Sequence, residues 1–351
     1  MAQVLKTECE VTAMPIRLTI RGLSGKELLQ IDVPRDVTVG GIKKKLADGL
    51  TIAPLCQQLV LDKDVLEDDS VCCFSRLSVA ESSPSNQLVA DLTLVVNVEA
   101  AYEQLKSREV WARMEGVRAL ACTGPYGDSG DSNCVNAILR AIGENGSDVR
   151  IAALEALKLA APRGSVAAGD IHTYVLPRLD DYEPEVGVAA ADSLCAVVEA
   201  GDETVIREIL RLLANGDCRK VTKEYVRALG VLAPHGHESA IEAACLCAKN
   251  VDAQVRQEAV QAISKLAPCG HEGGTQLCVQ LLGGDWQNEV KQAALAALDV
   301  LALEGDVKVT AALCECVETQ FEDLRVPALQ LLSRVAPSGH AEARAILQEY
   351  A

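Results

Sequence analysis

VDAQVRQEAVQAISKLAPCGHEGGTQLCVQLLGG, residues 251–284, decides how the chain is read. Val255, Ala259 and Ile263 stand at i, i+4 and i+8, on one stripe of a helix. Pro268 stops that helix, and Gly270 supplies backbone angles a turn needs. A second apolar run follows. The same pattern starts at Ala112, Val149, Val186, Val221, Val255, Val290 and Leu324, anchors spaced 34 to 37 residues apart. Four residues on stand Gly116, Ala153, Ala190, Tyr225, Ala259, Ala294 and Ala328, small in all but Tyr225. Eight residues on stand Leu120, Leu157, Leu194, Leu229, Ile263, Leu298 and Leu332. Fifteen residues on comes a glycine in every copy: Gly127, Gly164, Gly201, Gly236, Gly270, Gly305 and Gly339.

The residue after that glycine is Asp128, Ser165, Asp202, His237, His271, Asp306 or His340, and most of these can cap a second helix. Two antiparallel helices per unit, seven times over, describe an all-α solenoid of about seven helical hairpins. Residues 99–111 read as a linker or capping helix, and 341–350 as the closing helix. The units resemble HEAT repeats, in particular the short kind also found in bilin lyases. That resemblance implies a curved rod, on the order of 70 Å long at about 10 Å per repeat, that holds partners on its concave face. It also implies that the basic residues after the anchors (Arg113, Arg150, Arg256, Lys291, Arg325) and the acidic ones before them (Asp148, Glu185, Glu289, Asp323) link neighbouring repeats.

Composition agrees. Aromatics are only 3% of a chain that is 49% hydrophobic, so its cores are built from Ala, Leu and Val, which suits close helices. The net charge of −17 argues against nucleic acid, whose binding needs clustered Lys and Arg. Most of it falls on 99–351 and favours a partner with a basic patch. No stretch approaches the roughly 18 apolar residues of a membrane helix, and the start has no apolar signal core. The 14 cysteines sit mostly where other copies carry Ala or Leu, so they read as reduced, small core residues in a cytoplasmic or nuclear protein.

The first hundred residues differ. Residues 1–13 show no pattern and read as disordered. Met14 to Arg21 alternates apolar and polar residues, as a half-buried strand does. Gly22 to Lys26 is a hairpin turn, and Leu29, Ile31 and Val33 alternate in a second strand. Thr38 can cap a helix with Val39, Ile42 and Leu46 on its apolar face and Lys43, Lys44 and Lys45 outward. Gln58 to Leu61 and Leu92 to Val96 are further strands, and Leu77 to Ala90 a flexible loop. In this order GLSGK, VPRD, TVGGIKKKL, CQQLVLDKDVLEDD and LTLVV resemble ubiquitin, which implies an α+β ubiquitin-like (β-grasp) domain over 14–98 ahead of the HEAT-like solenoid, 112–351. No Gly-Gly tail follows the last strand, so the resemblance is to an integral domain and not a conjugated modifier. It implies a protein-binding patch at Leu23, Val60 and Val95, and a receptor of the ubiquitin–proteasome system as one partner.

No constellation points to catalysis. His237-Glu238 and His271-Glu272 invite comparison with deoxyhypusine hydroxylase, a HEAT enzyme that binds iron through His-Glu pairs. Its pairs lie within helices, and the matching places here (Ile151-Ala152, Gln257-Glu258, Gln292-Ala293) hold no histidine. Cys245/Cys247 and Cys314/Cys316 point about 200° apart on a helix and do not chelate together. Cys72-Cys73 has no activating neighbour in the sequence. Gly273-Gly274 and Gly283-Gly284 read as loops without the strand a phosphate cradle needs. Trp286 reads as a packing residue at the start of a helix. The expectation is a non-enzymatic adaptor or scaffold, with no catalytic, cofactor or metal residues. The solenoid holds one partner, and the head docks on another. The alternatives are a subunit or assembly factor of a large complex, or a bilin-lyase-like ligand-handling protein.

Overall fold

Alternation of apolar and polar residues builds a five-stranded sheet first. In the computed structural model, which describes residues 16–34, 36–50, 52–61, 64–66, 89–122, 132–215, 221–319, 322–337 and 339–350, strand β1 is Ile16–Arg21 and β2 is Glu27–Val33. They pair antiparallel from Ile16 opposite Val33, with a bulge at Ile20/Arg21. Helix α1, Val39–Leu50, begins where Thr38 Oγ1 accepts the Gly41 N–H at 3.1 Å. Its buried stripe is Val39, Ile42, Leu46 and Leu50. A 3-10 turn, Pro54–Cys56, leads to β3 (Gln57–Leu61), β4 (Asp64–Leu66) and β5 (Val89–Val96).

The strand order is β2-β1-β5-β3-β4, with β1 and β5 parallel and the other pairs antiparallel. Ile16, Leu18, Ile20, Leu59, Leu92 and Leu94 are buried. The opposite face carries exposed ion pairs, Arg17–Asp32 at 2.9 Å and Arg21–Asp91 at 3.5 Å. Four strands are legible from alternation. β4 is not, because three residues are too few to show a period. The expected disordered start, most of the expected loop and Cys72-Cys73 lie outside the described residues.

Two residues after β5 the chain turns into α2, Glu99–Leu105, whose first amide is capped by Asn97 Oδ1 at 3.0 Å. Helices α3 (Val110–Cys122), α4 (Ser132–Ile142) and α5 (Ser147–Ala160) follow. Gly116 is the small residue of this copy for a reason: a Cβ there would lie 2.8 Å from the Ala101 carbonyl oxygen of α2. The 3-10 turn ahead of β3 also meets these helices, since Cys56 Sγ lies 4.0 Å from the Ala119 carbonyl. Sheet and first helices thus belong to one compact unit, Met1–Pro162, and Arg163–Ala351 forms a second.

The second unit opens on a broken helix of one α-turn (Ala168–Asp170), a π stretch (Ile171–Val175) and a 3-10 stretch (Leu176–Asp180). Regular hairpins follow: α6 (Pro184–Val197) with α7 (Glu203–Asn215), α8 (Thr222–Leu232) with α9 (Glu238–Cys247), and α10 (Ala253–Leu266) with α11 (Glu272–Gly284). Then come α12 (Asn288–Leu301) with α13 (Val307–Thr319), and α14 (Glu322–Val335) with α15 (Ala341–Glu349). Every anchor and both residues spaced from it by four and eight are buried. Tyr225, the one large residue at the small position, fits because Gly187 leaves it space. Its hydroxyl donates to the Leu179 carbonyl of the broken helix. Gly273-Gly274 and Gly283-Gly284 are not loops: they open and close α11. Gly274 packs closely, as a Cβ there would sit 3.0 Å from Ile263 Cγ2 and push that side chain aside.

The turn glycines do more than turn. Gly164, Gly201, Gly236, Gly270 and Gly305 all have φ between 77° and 95°, the left-handed region. In that conformation each N–H donates to a carbonyl in the next repeat: to Val197, Leu232, Leu266, Leu301 and Val335, at 2.7–2.8 Å. Each acceptor is the last residue of a first helix, whose carbonyl has no partner within its own helix. One bond therefore satisfies an orphan carbonyl and joins two repeats. A Cβ on Gly236 would meet nothing within 4 Å, so Gly236→Ala isolates the backbone effect. It should lower stability by about 1–2 kcal/mol in denaturant unfolding, and Gly236→Asn by less, since Asn tolerates this region better.

Candidate protein-binding surfaces

On the sheet the proposed patch residues lie as follows. Val60 on β3 is opposite Thr93 of β5, and Val95 is opposite Gln58, so Val60 and Val95 share the face turned away from the buried leucines. Val65 of β4 pairs with Val60 and extends that face. Leu23, in the β1–β2 turn, is 78% exposed. Arg21 is the last residue of β1 to pair with β5, opposite Thr93, and Leu23 lies beyond the end of that ladder. Val65 was missed from sequence because its strand was.

In the second unit three of the exposed large apolar residues share one place in the repeat, while Leu246, Val300, Leu303, Val307 and Val326 are exposed at other places. Tyr182 is 76% exposed, Val251 99% and Trp286 95%. Each stands four residues before its anchor, in the loop that enters a first helix. Trp286 is therefore not a packing residue. Helix α12 begins at Asn288, so the stripe that would have carried Trp286 inward has not started. Comparison at the position four before each anchor is the sequence signal that finds these three. Their neighbours are acidic: Asp180, Asp181 and Glu183 by Tyr182, Asp252 by Val251, and Asp285 and Glu289 by Trp286.

The loops are stiffened by the basic residues after the anchors. Arg256 Nη1 donates to the Asn250 and Val251 carbonyls at 3.0 Å, and its other nitrogens grip Asp285 of the next loop at 2.7 and 2.8 Å. Arg113 repeats this with the Ser107 and Arg108 carbonyls and with Glu144 at 2.8 Å. Arg150 donates to the Glu144 and Asn145 carbonyls. So the cross-repeat ladder exists, but its acids are Glu144 and Asp285 in the loops rather than those just before the anchors. Burial works to raise the Asp285 pKa. The hydrogen bonds from Arg256 and from the Gln287 and Trp286 amides outweigh burial, and the value ends below the ordinary 3.8.

The histidines cap helices. Nδ1 of His237, His271 and His340 accepts the N–H of Ala240, Gly274 and Ala343 at 3.2, 3.0 and 3.2 Å. Asp202 and Asp306 do the same through Oδ1. His237 Nε2 faces Glu203 at 3.6 Å and His271 Nε2 faces Glu238 at 3.9 Å, each glutamate from the preceding repeat. The described cysteines form no disulfide. Burial pushes Cys56 and Cys247 up to about 11 and Cys278 up to about 12, which keeps them as thiols and not as nucleophiles.

A cleft of about 270 Å³ lies between α12 and α14, floored by Leu295, Leu324 and Leu331 and rimmed by Asp299 and Asp323. Pro327, inside α14, lines it and has no N–H to return to the Asp323 carbonyl. None of the described helices is long and apolar enough to cross a membrane.

No family model matches the chain, and no curated protein matches it. Among solved structures it is similar to the complex of CpcE and CpcF of phycocyanin lyase from Nostoc sp. PCC7120, at 19% identity and a TM-score of 0.40. That alignment covers 72% of this chain and 93% of the other. It is also similar to an archaeal HEAT-like repeats protein from Thermococcus onnurineus NA1, at 14% identity and a TM-score of 0.47, covering 72% and 99%. At those scores neither likeness carries a functional argument, and the repeat architecture rests on the buried stripes and glycine bonds described above.

Two outcomes follow for stability. His271→Ala should cost about 1 kcal/mol in chemical unfolding, and His271→Asp should restore it, because the position needs an acceptor and not an imidazole. Asp285→Asn should cost on the order of 2 kcal/mol at neutral pH. The folded pKa of Asp285 is depressed, so its contribution is complete above its ordinary value and is lost as pH falls through the folded value. The gap between wild type and Asp285→Asn in unfolding midpoint should therefore close in acid, at pH values below the ordinary carboxylate value of 3.8.

Proposed function

We propose that this chain is a non-enzymatic adaptor that binds proteins through two surfaces. The observation that carries the reading is the exposure of Tyr182, Val251 and Trp286 at one repeat position, with Arg256 holding the loops of Val251 and Trp286. Large apolar side chains that face water at equivalent places gain most when a partner covers them. The exposed carboxylates Asp180, Asp252 and Glu289 favour a partner with a basic segment, because arginine and lysine can lie on the Trp and Tyr rings while pairing with them; Asp181 and Asp285 are already held by Arg178 and Arg256.

The head supplies the second surface in this reading. The strand order, the parallel β1–β5 pair and the single long helix support a ubiquitin-like domain, and the continuous run from β5 into α2 supports an integral one. Val60, Val65, Val95 and Leu23 would then be the docking patch, with a ubiquitin-type receptor of the proteasome system as the candidate partner. Domain limits of 14–98 for the head and 112–351 for the repeats belong to the same proposal.

Capture of interacting proteins on immobilised full-length chain tests it. Replacing Tyr182, Val251 and Trp286 together by Ser should remove one set of partners, and Val60→Asp should remove a different set. If each variant, shown to be folded by circular dichroism, retains every wild-type partner, the two-surface reading is wrong.

A further inference from the structure

Among the described residues, one thiol, one imidazole and one carboxylate converge: the ligand atoms of Cys314, His340 and Glu342 all lie within 4.8 Å of one another. We propose that they form a binding site for a divalent transition ion of the zinc class, with an open fourth position. Cys314 comes from the middle of α13, His340 caps α15, and Glu342 stands in the first turn of α15. The thiol is buried at the floor, the imidazole is half-buried, and the carboxylate is exposed at the rim, so an ion can enter from the solvent side. Sulfur, nitrogen and oxygen in this number are the donor set of a three-ligand zinc centre, with bonds of roughly 2.0–2.3 Å. The ligand atoms already lie within 4.8 Å of one another, and the exposed Glu342 side chain is free to close on an ion.

Burial raises the Cys314 thiol above its ordinary pKa, and the neighbouring Glu342 and Glu318 raise it further. A divalent cation reverses both effects by pairing with the thiolate and the carboxylate at once. Binding then releases the thiol proton to solvent, one per ion. The imidazole must also change. Its Nδ1 lone pair accepts the Ala343 N–H in the empty site, and a neutral ring has only one such lone pair. Coordination takes that lone pair, and the capping bond to Ala343 is given up. An ion here would replace a helix cap by a tie between α13 and α15. His237 and His271 cap their helices in the same way but belong to no such trio among the described residues, so they serve as internal controls.

The spacing explains why the sequence hides the site. Cys314-x-Cys316 draws attention to itself as a pair, yet those two thiols point apart. The partners of Cys314 are 26 and 28 residues further on, beyond a whole helix.

Titrating the full-length chain with Co²⁺, under a non-chelating reductant, tests the proposal. Expected are one ion per chain, a sulfur-to-cobalt charge-transfer band, displacement by Zn²⁺, and a shift of the Ala343 amide resonance. Cys314→Ala should abolish the band. His340→Asn keeps the helix cap but removes the imidazole, and should weaken binding at least about 100-fold. Glu342→Gln should weaken it about 10-fold or more. Unfolding curves of the metal-free variants establish that they fold. Absence of a sulfur band in the wild type, or a band and affinity unchanged in folded Cys314→Ala and His340→Asn, would overturn the site and leave the adaptor reading untouched.

Discussion

A glycine amide in a left-handed turn, bonded to the last carbonyl of the following repeat's first helix, is the contact on which the regularity of the second unit depends. A first helix ends with carbonyls that have no partner of their own. A hairpin turn has an amide to spare, and in all five turns the residue that supplies it has positive φ. Glycine adopts that angle without a Cβ penalty, so one residue type at one position serves turn and junction together. Five such bonds, from Gly164 to Gly305, recur with nearly the same length. Buried stripes supply the bulk of the packing energy, and the glycine bonds fix the register at which the stripes meet.

Function then falls on what the register leaves over. Once the stripe, the turn and the cap are assigned, the loops that enter each first helix are free to vary. They are also held firmly, because Arg256 and Arg113 tie loop carbonyls on one side to an acid of the next loop on the other. Rigid presentation lowers the ordering cost of binding. Val251 and Trp286 stand in loops held this way, and the proposed adaptor would use them to select a partner.

The repeat was legible in the sequence because three constraints leave periodic marks: a buried helix stripe, a proline stop and a glycine turn. The caps were legible too, since Asp, Ser and His share one property at that position, an acceptor. Where the reading stopped, the cause was a relation between distant residues. No pattern in a single copy says that Gly236 donates to Leu266, or that Tyr225 is tolerated because Gly187 and the Leu179 carbonyl receive it. The break in 168–180 carries no proline at its π stretch to announce it. Trp286 misled because a large apolar residue beside a helix start resembles the first member of a stripe. Only the place where the helix begins, two residues later, shows otherwise. β4 was lost to its brevity, and Val65 with it.

Native-state hydrogen exchange at the turn glycines probes the account most directly. Gly201, Gly236, Gly270 and Gly305 are all solvent-exposed residues in turns. If their amides are bonded across repeats, they should exchange at least about a hundredfold more slowly than free peptide amides, and together with the carboxy-terminal turns of the helices they join. Exchange at ordinary loop rates would contradict the claim that these bonds hold the repeats in register.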